Sequence, residues 1–136
     1  MIRLIKPKDK INFQDYCNRY GKNLFNDYSF KSLDKEFRAI IKYNKYCIIS
    51  EENDFIDGLL FIEVLNNEYH IKTIYKNSKV LDNLLSILNW NIRKDLTFRL
   101  NDYRVVSILK KHFFRFKGKI DNDYVYFRKY FKKVKK

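Results

Sequence analysis

The stretch YCIISEENDFIDGLLFIEVLNNEYHIKTIYKN, residues 46–77, constrains the fold more than any other part of the chain. Its apolar runs are cut twice by polar residues, at Glu51-Glu52-Asn53-Asp54 and at Asn66-Asn67. Short polar cuts between runs of β-forming residues are turn chemistry. After the second cut, Tyr69, Ile71, Thr73 and Tyr75 alternate with His70, Lys72 and Ile74, which is the two-residue period of a strand. Three antiparallel strands in a meander are the economical reading.

The flanks switch to helical spacing. Ile2, Leu4 and Ile5 form a short opening strand, and Pro7 with Asp9 suits a helix start. Ile11, Phe13, Tyr16, Cys17 and Tyr20 supply the apolar face of that helix, and Gly21 ends it. Ser32 suits the cap of a second helix, with Asp34 and Glu36 in its first turn and a stripe of Leu33, Phe37, Ile40 and Ile41. Past the meander, Ser78 opens a helix striped by Leu81, Leu84, Leu85 and Leu88. Leu96, Phe98 and Leu100 alternate as a strand. Asn101 or Asp102 caps a fourth helix carrying Val105, Ile108, Leu109 and His112 on one face. Phe114–Ile120 and Tyr124–Tyr130 read as a closing hairpin around Asp121-Asn122-Asp123. The expected order is β-α-α-β-β-β-α-β-α-β-β, an α/β (α+β) domain with a mixed central sheet.

A chain of 136 residues with 46% hydrophobic content is expected to form one domain with a real core, over residues 1–131, ahead of a basic tail at 132–136. No apolar stretch approaches the ~20 residues of a spanning helix, so no membrane is expected. The opening MIRLIKPKDK has no apolar run after its charges, which argues against a secretory signal and for the cytoplasm. Cys17 and Cys47 are the only cysteines. Two distant thiols make neither a disulfide framework nor a four-ligand zinc site, so no metal is expected.

Charge is the other strong feature. The net formal charge is +13. Residues 93–136 hold 15 Lys and Arg against 4 Asp, while residues 1–92 hold 14 basic against 12 acidic side chains. A field of that kind favours a polyanion such as nucleic acid, a phosphate-rich cofactor or an acidic protein face. Composition offers an equal account. Lys, Asn, Ile, Phe and Tyr make up 73 of the 136 residues, and all have A/T-rich codons. Tyr103, Phe113, Phe114, Phe116, Tyr124, Tyr126 and Phe127 are interleaved with the basic residues of the last third. Rings among Lys and Arg can stack and neutralise single strands, although alternating aromatics in a hairpin more often build a core face.

Three stretches, taken in order, resemble the GNAT (Gcn5-related N-acetyltransferase) fold. Residues 47–64, CIISEENDFIDGLLFIEV, are similar to its second and third strands, with Gly58 opening the latter. Residues 101–118, NDYRVVSILKKHFFRFKG, resemble its Asn-led helix and the following "GF…G" signature, which Phe114 and Gly118 match while Phe113 replaces the first Gly. Residues 123–130, DYVYFRKY, resemble its last strand.

The resemblance implies that the fourth and fifth strands splay and that acetyl-CoA would lie between them. Its pyrophosphate would meet the amides at the start of the next helix, where the N–H groups and the macrodipole favour phosphate. The family's loop there is Q/R-x-x-G-x-G/A. This chain has Tyr75, Lys76, Asn77, Ser78, Lys79 and Val80, without a glycine, and only Lys76, Lys79 and the Ser78 amide would hold an anion. Many relatives carry a proton-donating Tyr on the fourth helix, and Leu109 occupies that place. The family's general base is often a Glu on the central strands, which makes Glu63, Glu68 and His70 the candidates. Histidine titrates closest to neutral pH, but a lone strand histidine is more often structural. Glu63 and Glu68 flank a turn, where solvation is expected, and His112 is expected to be packed.

These departures point to a divergent GNAT-fold protein kept for binding or assembly. In length and eroded loop the chain resembles short GNAT-like virion and assembly proteins of small phages. That resemblance implies a protein partner, and the cytoplasm or a virion as the location. The alternatives are an acetyl-CoA-dependent N-acetyltransferase and, second, a nucleic-acid-binding domain acting through the basic last third.

Overall fold

The structure is a computed structural model that describes residues 1–20, 30–100, 102–121 and 123–130, without the side chains of residues 30–32 and 90. Gly21, Asn101, Asn122 and the tail at 132–136 lie outside the described residues. Strand β1 (Ile2–Leu4) leads through a 3-10 turn (Pro7–Asp9) into α1 (Lys10–Tyr20), then α2 (Phe30–Lys42). The meander is β2 (Cys47–Glu52), β3 (Phe55–Leu65) and β4 (Glu68–Tyr75). Helix α3 (Ser78–Asn91), β5 (Leu96–Leu100), a second 3-10 turn (Tyr103–Val105), α4 (Val106–Lys111), β6 (Arg115–Ile120) and β7 (Asp123–Arg128) complete the chain. This is the order expected from the sequence.

The two polar cuts are tight two-residue turns. Asn53 and Asp54 have φ of 53° and 66°, and Asn66 and Asn67 have 51° and 64°. Paired left-handed residues give the hairpin turn whose twist matches the strands, and Asn and Asp tolerate it best. Glu51 and Glu52 belong to β2 rather than to the turn.

All strands join one seven-stranded sheet in the order β1-β2-β3-β4-β5-β7-β6. Every pairing is antiparallel except β4 with β5. Residues 69–75 and 96–100 are therefore parallel neighbours of a single mixed sheet, as the expected cleft requires. The closing hairpin folds back so that β7, not β6, lies against β5.

The sheet has a core on each face. Phe13, Cys17, Leu33, Phe37 and Ile40 of α1 and α2 pack on Cys47, Ile49, Leu59 and Phe61. Leu81, Leu84, Leu85 and Leu88 of α3 pack on Ile48, Leu60, Ile62, Ile71, Leu96 and Phe98, together with Leu109 and Phe114. Strand β3 is covered on both sides, so Gly58 through Ile62 are all buried and its sequence is a continuous apolar run. A Cβ built at Gly58 would run into the Val80 side chain and press on Leu84, so glycine there is what lets α3 approach the sheet.

Several local expectations are corrected. Ile11 and Tyr20 are exposed rather than on the buried face of α1, which is carried by Phe13, Tyr16 and Cys17. Helix α2 starts at Phe30, so Ser32 lies inside it and does not cap it. Strand β6 starts at Arg115 and β7 ends at Arg128. Phe114 instead follows the turn that closes α4 and is buried in the core. There the Phe114 amide donates to the Leu109 carbonyl at 2.9 Å and the Phe113 amide to Lys110 at 3.0 Å, with Phe113 at φ 69°. This is a Schellman closure with phenylalanine at the left-handed position that usually takes glycine.

Candidate functional site

The parallel β4–β5 ladder is short. It pairs Tyr69 with Leu96, His70 with Thr97 and Ile71 with Phe98, and then stops. Beyond it β4 runs on through Tyr75, while Arg99 and Leu100 pair only with Val125 and Tyr124 of β7. The two strands thus part from a closed base toward the start of α3. An open cleft of about 650 Å3 fills the gap. Its walls include His70, Lys72 and Ile74 on one side and Thr97, Arg99 and Val125 on the other.

Strand alternation decides which face these side chains share. Glu63 is opposite His70, and Phe61 opposite Lys72. The face of Phe61 is the one that α1 and α2 cover, so Glu63, His70 and Lys72 lie on it too. The three candidate bases are brought into one neighbourhood. His70 Nε2 is 3.3 Å from Glu68 Oε2, and Lys72 Nζ is 3.9 Å from Glu63 Oε1. Glu63 is inside β3 and half-buried rather than fully solvated, whereas Glu68 is exposed. Of the three, His70 lines the cleft.

The loop expected to meet a pyrophosphate is in the expected place, between β4 and α3. Asn77 caps the helix: its side-chain oxygen accepts from the Val80 amide at 3.0 Å. One of the helix-start donors is thereby already used, leaving the Ser78 and Lys79 amides at the open end. The Lys76 ammonium is 3.9 Å from the Glu52 carboxylate, both being well exposed. Tyr75 reaches across the cleft mouth, its hydroxyl donating to Asp102 Oδ2 at 2.9 Å. Asp102 also accepts from the Arg104 amide at 3.1 Å and from its Nε at 2.9 Å. Burial and the neighbouring Asp102 push the Tyr75 phenol up, so it stays protonated. The Arg104 guanidinium holds the Asp102 carboxyl below the usual carboxylate range. The result is a bridge between the end of β4 and the entry to α4.

These residues fit coenzyme A poorly. A diphosphate needs several amides within reach and no side chains in the way. Here a cap takes one amide, no glycine thins the loop, and a tyrosine–aspartate bridge crosses the entrance. Leu109, where the resemblance leads one to expect a proton donor, is fully buried in the core. Among the described residues, no group of three or more His, Cys, Asp or Glu could hold a metal. Both thiols are buried, and burial raises Cys17 to about 12 and Cys47 further still, which leaves neither as a ready nucleophile.

Sequence reasoning missed the polar groups that order the cleft's walls. Arg99 is pinned by Asp123 at 2.8 Å and Asp121 at 3.5 Å. Behind the cleft a buried chain joins β7, α3 and α4. The Arg128 guanidinium donates to the Asn89 oxygen. The Asn89 amide nitrogen then donates to His112 Nδ1 at 2.9 Å, and His112 Nε2 meets Asp82 Oδ1 at 2.6 Å. Because arginine only donates, this order sets the imidazole's tautomer, with the proton on Nε2. His112 is thus a packed structural group, as the helix stripe indicated. Such pairings span tens of residues and leave no periodic trace.

No helix among the described residues is long and apolar enough to cross a membrane. No family model matches the sequence, and no curated protein matches it. Solved structures do match. An N-acetyltransferase from Staphylococcus aureus Mu50 superposes with a TM-score of 0.69 at 15% identity, over 93% of this chain and 95% of that one. The PaiA N-acetyltransferase from Thermoplasma acidophilum, in complex with coenzyme A, gives 0.67 at 13% identity over 96% and 98%. A ribosomal-protein-alanine N-acetyltransferase from Brucella melitensis gives 0.70 at 9% identity over 96% and 99%. With its splayed β4–β5 pair and its β5-β7-β6 closure, the chain has the GNAT acyl-CoA N-acyltransferase fold.

Proposed function

We propose that this chain is a binding or assembly protein on a GNAT scaffold and does not catalyse acetyl transfer. The observation that carries the reading is the Asn77 cap on the Val80 amide, in a loop without glycine. It spends on the protein's own side chain a donor that a diphosphate would need. The buried Leu109 and the Tyr75–Asp102 bridge support the same reading. The occupant of the scaffold is then a protein partner. A place in virion assembly, with the cytoplasm or the virion as its setting, extends this proposal on the resemblance drawn from the sequence's length and loop alone.

Calorimetry with acetyl-CoA and desulfo-CoA tests this. Absence of heat at millimolar ligand is the expected result, and micromolar binding would overturn it.

A second reading, an acetyl-CoA-dependent N-acetyltransferase, is favoured by one feature: the cleft itself, with His70 on its wall beside Glu68. On that reading Lys76 and Lys79 hold the phosphates. Lys76→Ala with Lys79→Ala would then weaken acetyl-CoA binding roughly tenfold or more.

A further inference from the structure

A second groove, of about 470 Å3, opens at the other end of the β4–β5 pair, away from the start of α3. It is lined by Tyr69, Phe127 and Tyr130 and by Arg93, Lys94 and Lys117. Rings and cations interleave there. The Lys94 ammonium is 6.0 Å from the Tyr69 ring centre, and that of Lys117 is 5.2 Å from the ring of Phe127. On the opposite face of β7, outside the groove, Lys119 is 5.8 Å from the Tyr124 ring.

Glu68 and Asp95 also line the groove, but its three cations are not paired with them. Of the four acids in the basic last third only Asp95 lines the groove, and the other three are engaged away from it. Asp95 accepts from the Tyr130 amide at 2.8 Å, and Asp102 holds Tyr75 and Arg104. Asp121 and Asp123 both hold Arg99. Arg93, Lys94, Lys117 and Lys119 have no carboxylate within ion-pair distance among the described residues. Glu68, the other acid on the rim, is beside His70.

An edge strand completes the surface. Strand β6 is the last in the sheet, and its Phe116 turns to the opposite face against Tyr124 and Tyr126. Arg115 pairs with Phe127 and so shares the groove's face, where Lys117 lines it. A flexible strand that offers a flat ring every few ångströms and a negative charge between rings matches this pattern. A duplex does not, because its bases are already stacked.

We propose that this groove and the β6 edge bind single-stranded nucleic acid. Bases stack on Phe127 and Tyr130, and phosphates lie against Arg93, Lys94 and Lys117. Stacking is tolerant of base identity because every base has a π-face, so the site is not sequence-specific. It is separate from the β4–β5 cleft mouth and holds whether or not coenzyme A binds there.

The test uses the full chain and a fluorescein-labelled oligo(dT) followed by anisotropy across a range of NaCl concentrations. Three cations imply a slope of log K against log salt of about −2. Arg93→Ala, Lys94→Ala and Lys117→Ala combined should flatten that slope and lower low-salt affinity at least tenfold. A control with Lys8→Ala, Lys35→Ala and Lys42→Ala removes the same charge from the β1 side and from α2, and should keep the slope. Phe127→Leu keeps apolar bulk but loses the ring, and should cost roughly tenfold at every salt concentration. Equal losses in both triple variants would overturn the site, leaving only net charge. Equally tight binding of poly-glutamate or of duplex, or no effect of Phe127→Leu, would overturn the stacking.

Discussion

The two halves of the sheet meet at the parallel β4–β5 pair and differ in what covers them. Strands β1 to β4 are sandwiched between α1 with α2 on one face and α3 on the other. Strands β5, β7 and β6 are packed by Leu109, Phe114 and Tyr126 on the α3–α4 face. On the other face their residues, Thr97, Arg99, Val125 and Phe127, line open grooves. Charge divides the same way, near balance up to residue 92 and strongly basic after it. The covered half supplies most of the core, and the open half leaves its grooves exposed. Substitutions in the first should therefore read out in unfolding, and in the second in ligand affinity.

The sharpest way to break that division is at Gly58. Gly58→Val forces a branched side chain into Val80 and Leu84 and is expected to cost about 3 kcal/mol in urea denaturation. A near-neutral outcome would mean that α3 is not seated on β3 as described. Next in size is the partly buried ion cluster at the first strand. Arg3 clasps Asp9 with two bonds of 2.8 and 2.7 Å and also reaches Glu51 at 2.6 Å. The Arg3 guanidinium holds the Asp9 carboxyl below its ordinary range. A carboxyl depressed on folding contributes stability above the usual carboxylate range, and that contribution is lost as pH falls through the folded value. Asp9→Asn should cost about 2 kcal/mol at neutral pH, with the gap to the parent protein closing in strong acid. A gap that widens on acidification would refute the clasp.

Smaller effects sharpen the comparison on the basic side. Phe113 is 79% exposed and left-handed, so Phe113→Gly relieves strain and sacrifices little burial. The thermal midpoint should rise, by the equivalent of about 0.5–1 kcal/mol. Lys94→Ala and Lys117→Ala should each stay within about 0.5 kcal/mol of the parent in stability. A loss as large as that at Asp9 would make the open half structural after all.

Much of this fold is readable in the sequence for identifiable reasons. The Leu81, Leu84, Leu85 and Leu88 stripe and the Asn53-Asp54 and Asn66-Asn67 turns are local signals with one physical meaning each. What is not local was not readable. That β7 rather than β6 borders β5 depends on how the hairpin docks, and both orders have the same periodicity. The missing glycine at Phe113 was visible, whereas the strained backbone it occupies was not. The cleft's chemistry was half legible. The loop at Tyr75–Lys79 could be placed by counting from the strand. The Tyr75–Asp102 bridge, the pinned Arg99 and the Arg128–Asn89–His112–Asp82 chain join residues with no sequence spacing in common.

The scaffold's role turns on whether the start of α3 is still a phosphate site. An amide-resolved NMR titration with desulfo-CoA addresses that atom by atom. The expected result is that the Ser78, Lys79 and Val80 amides hold their positions at millimolar ligand. Saturable shifts at those three amides would contradict the non-catalytic reading and return the chain to the acetyltransferases.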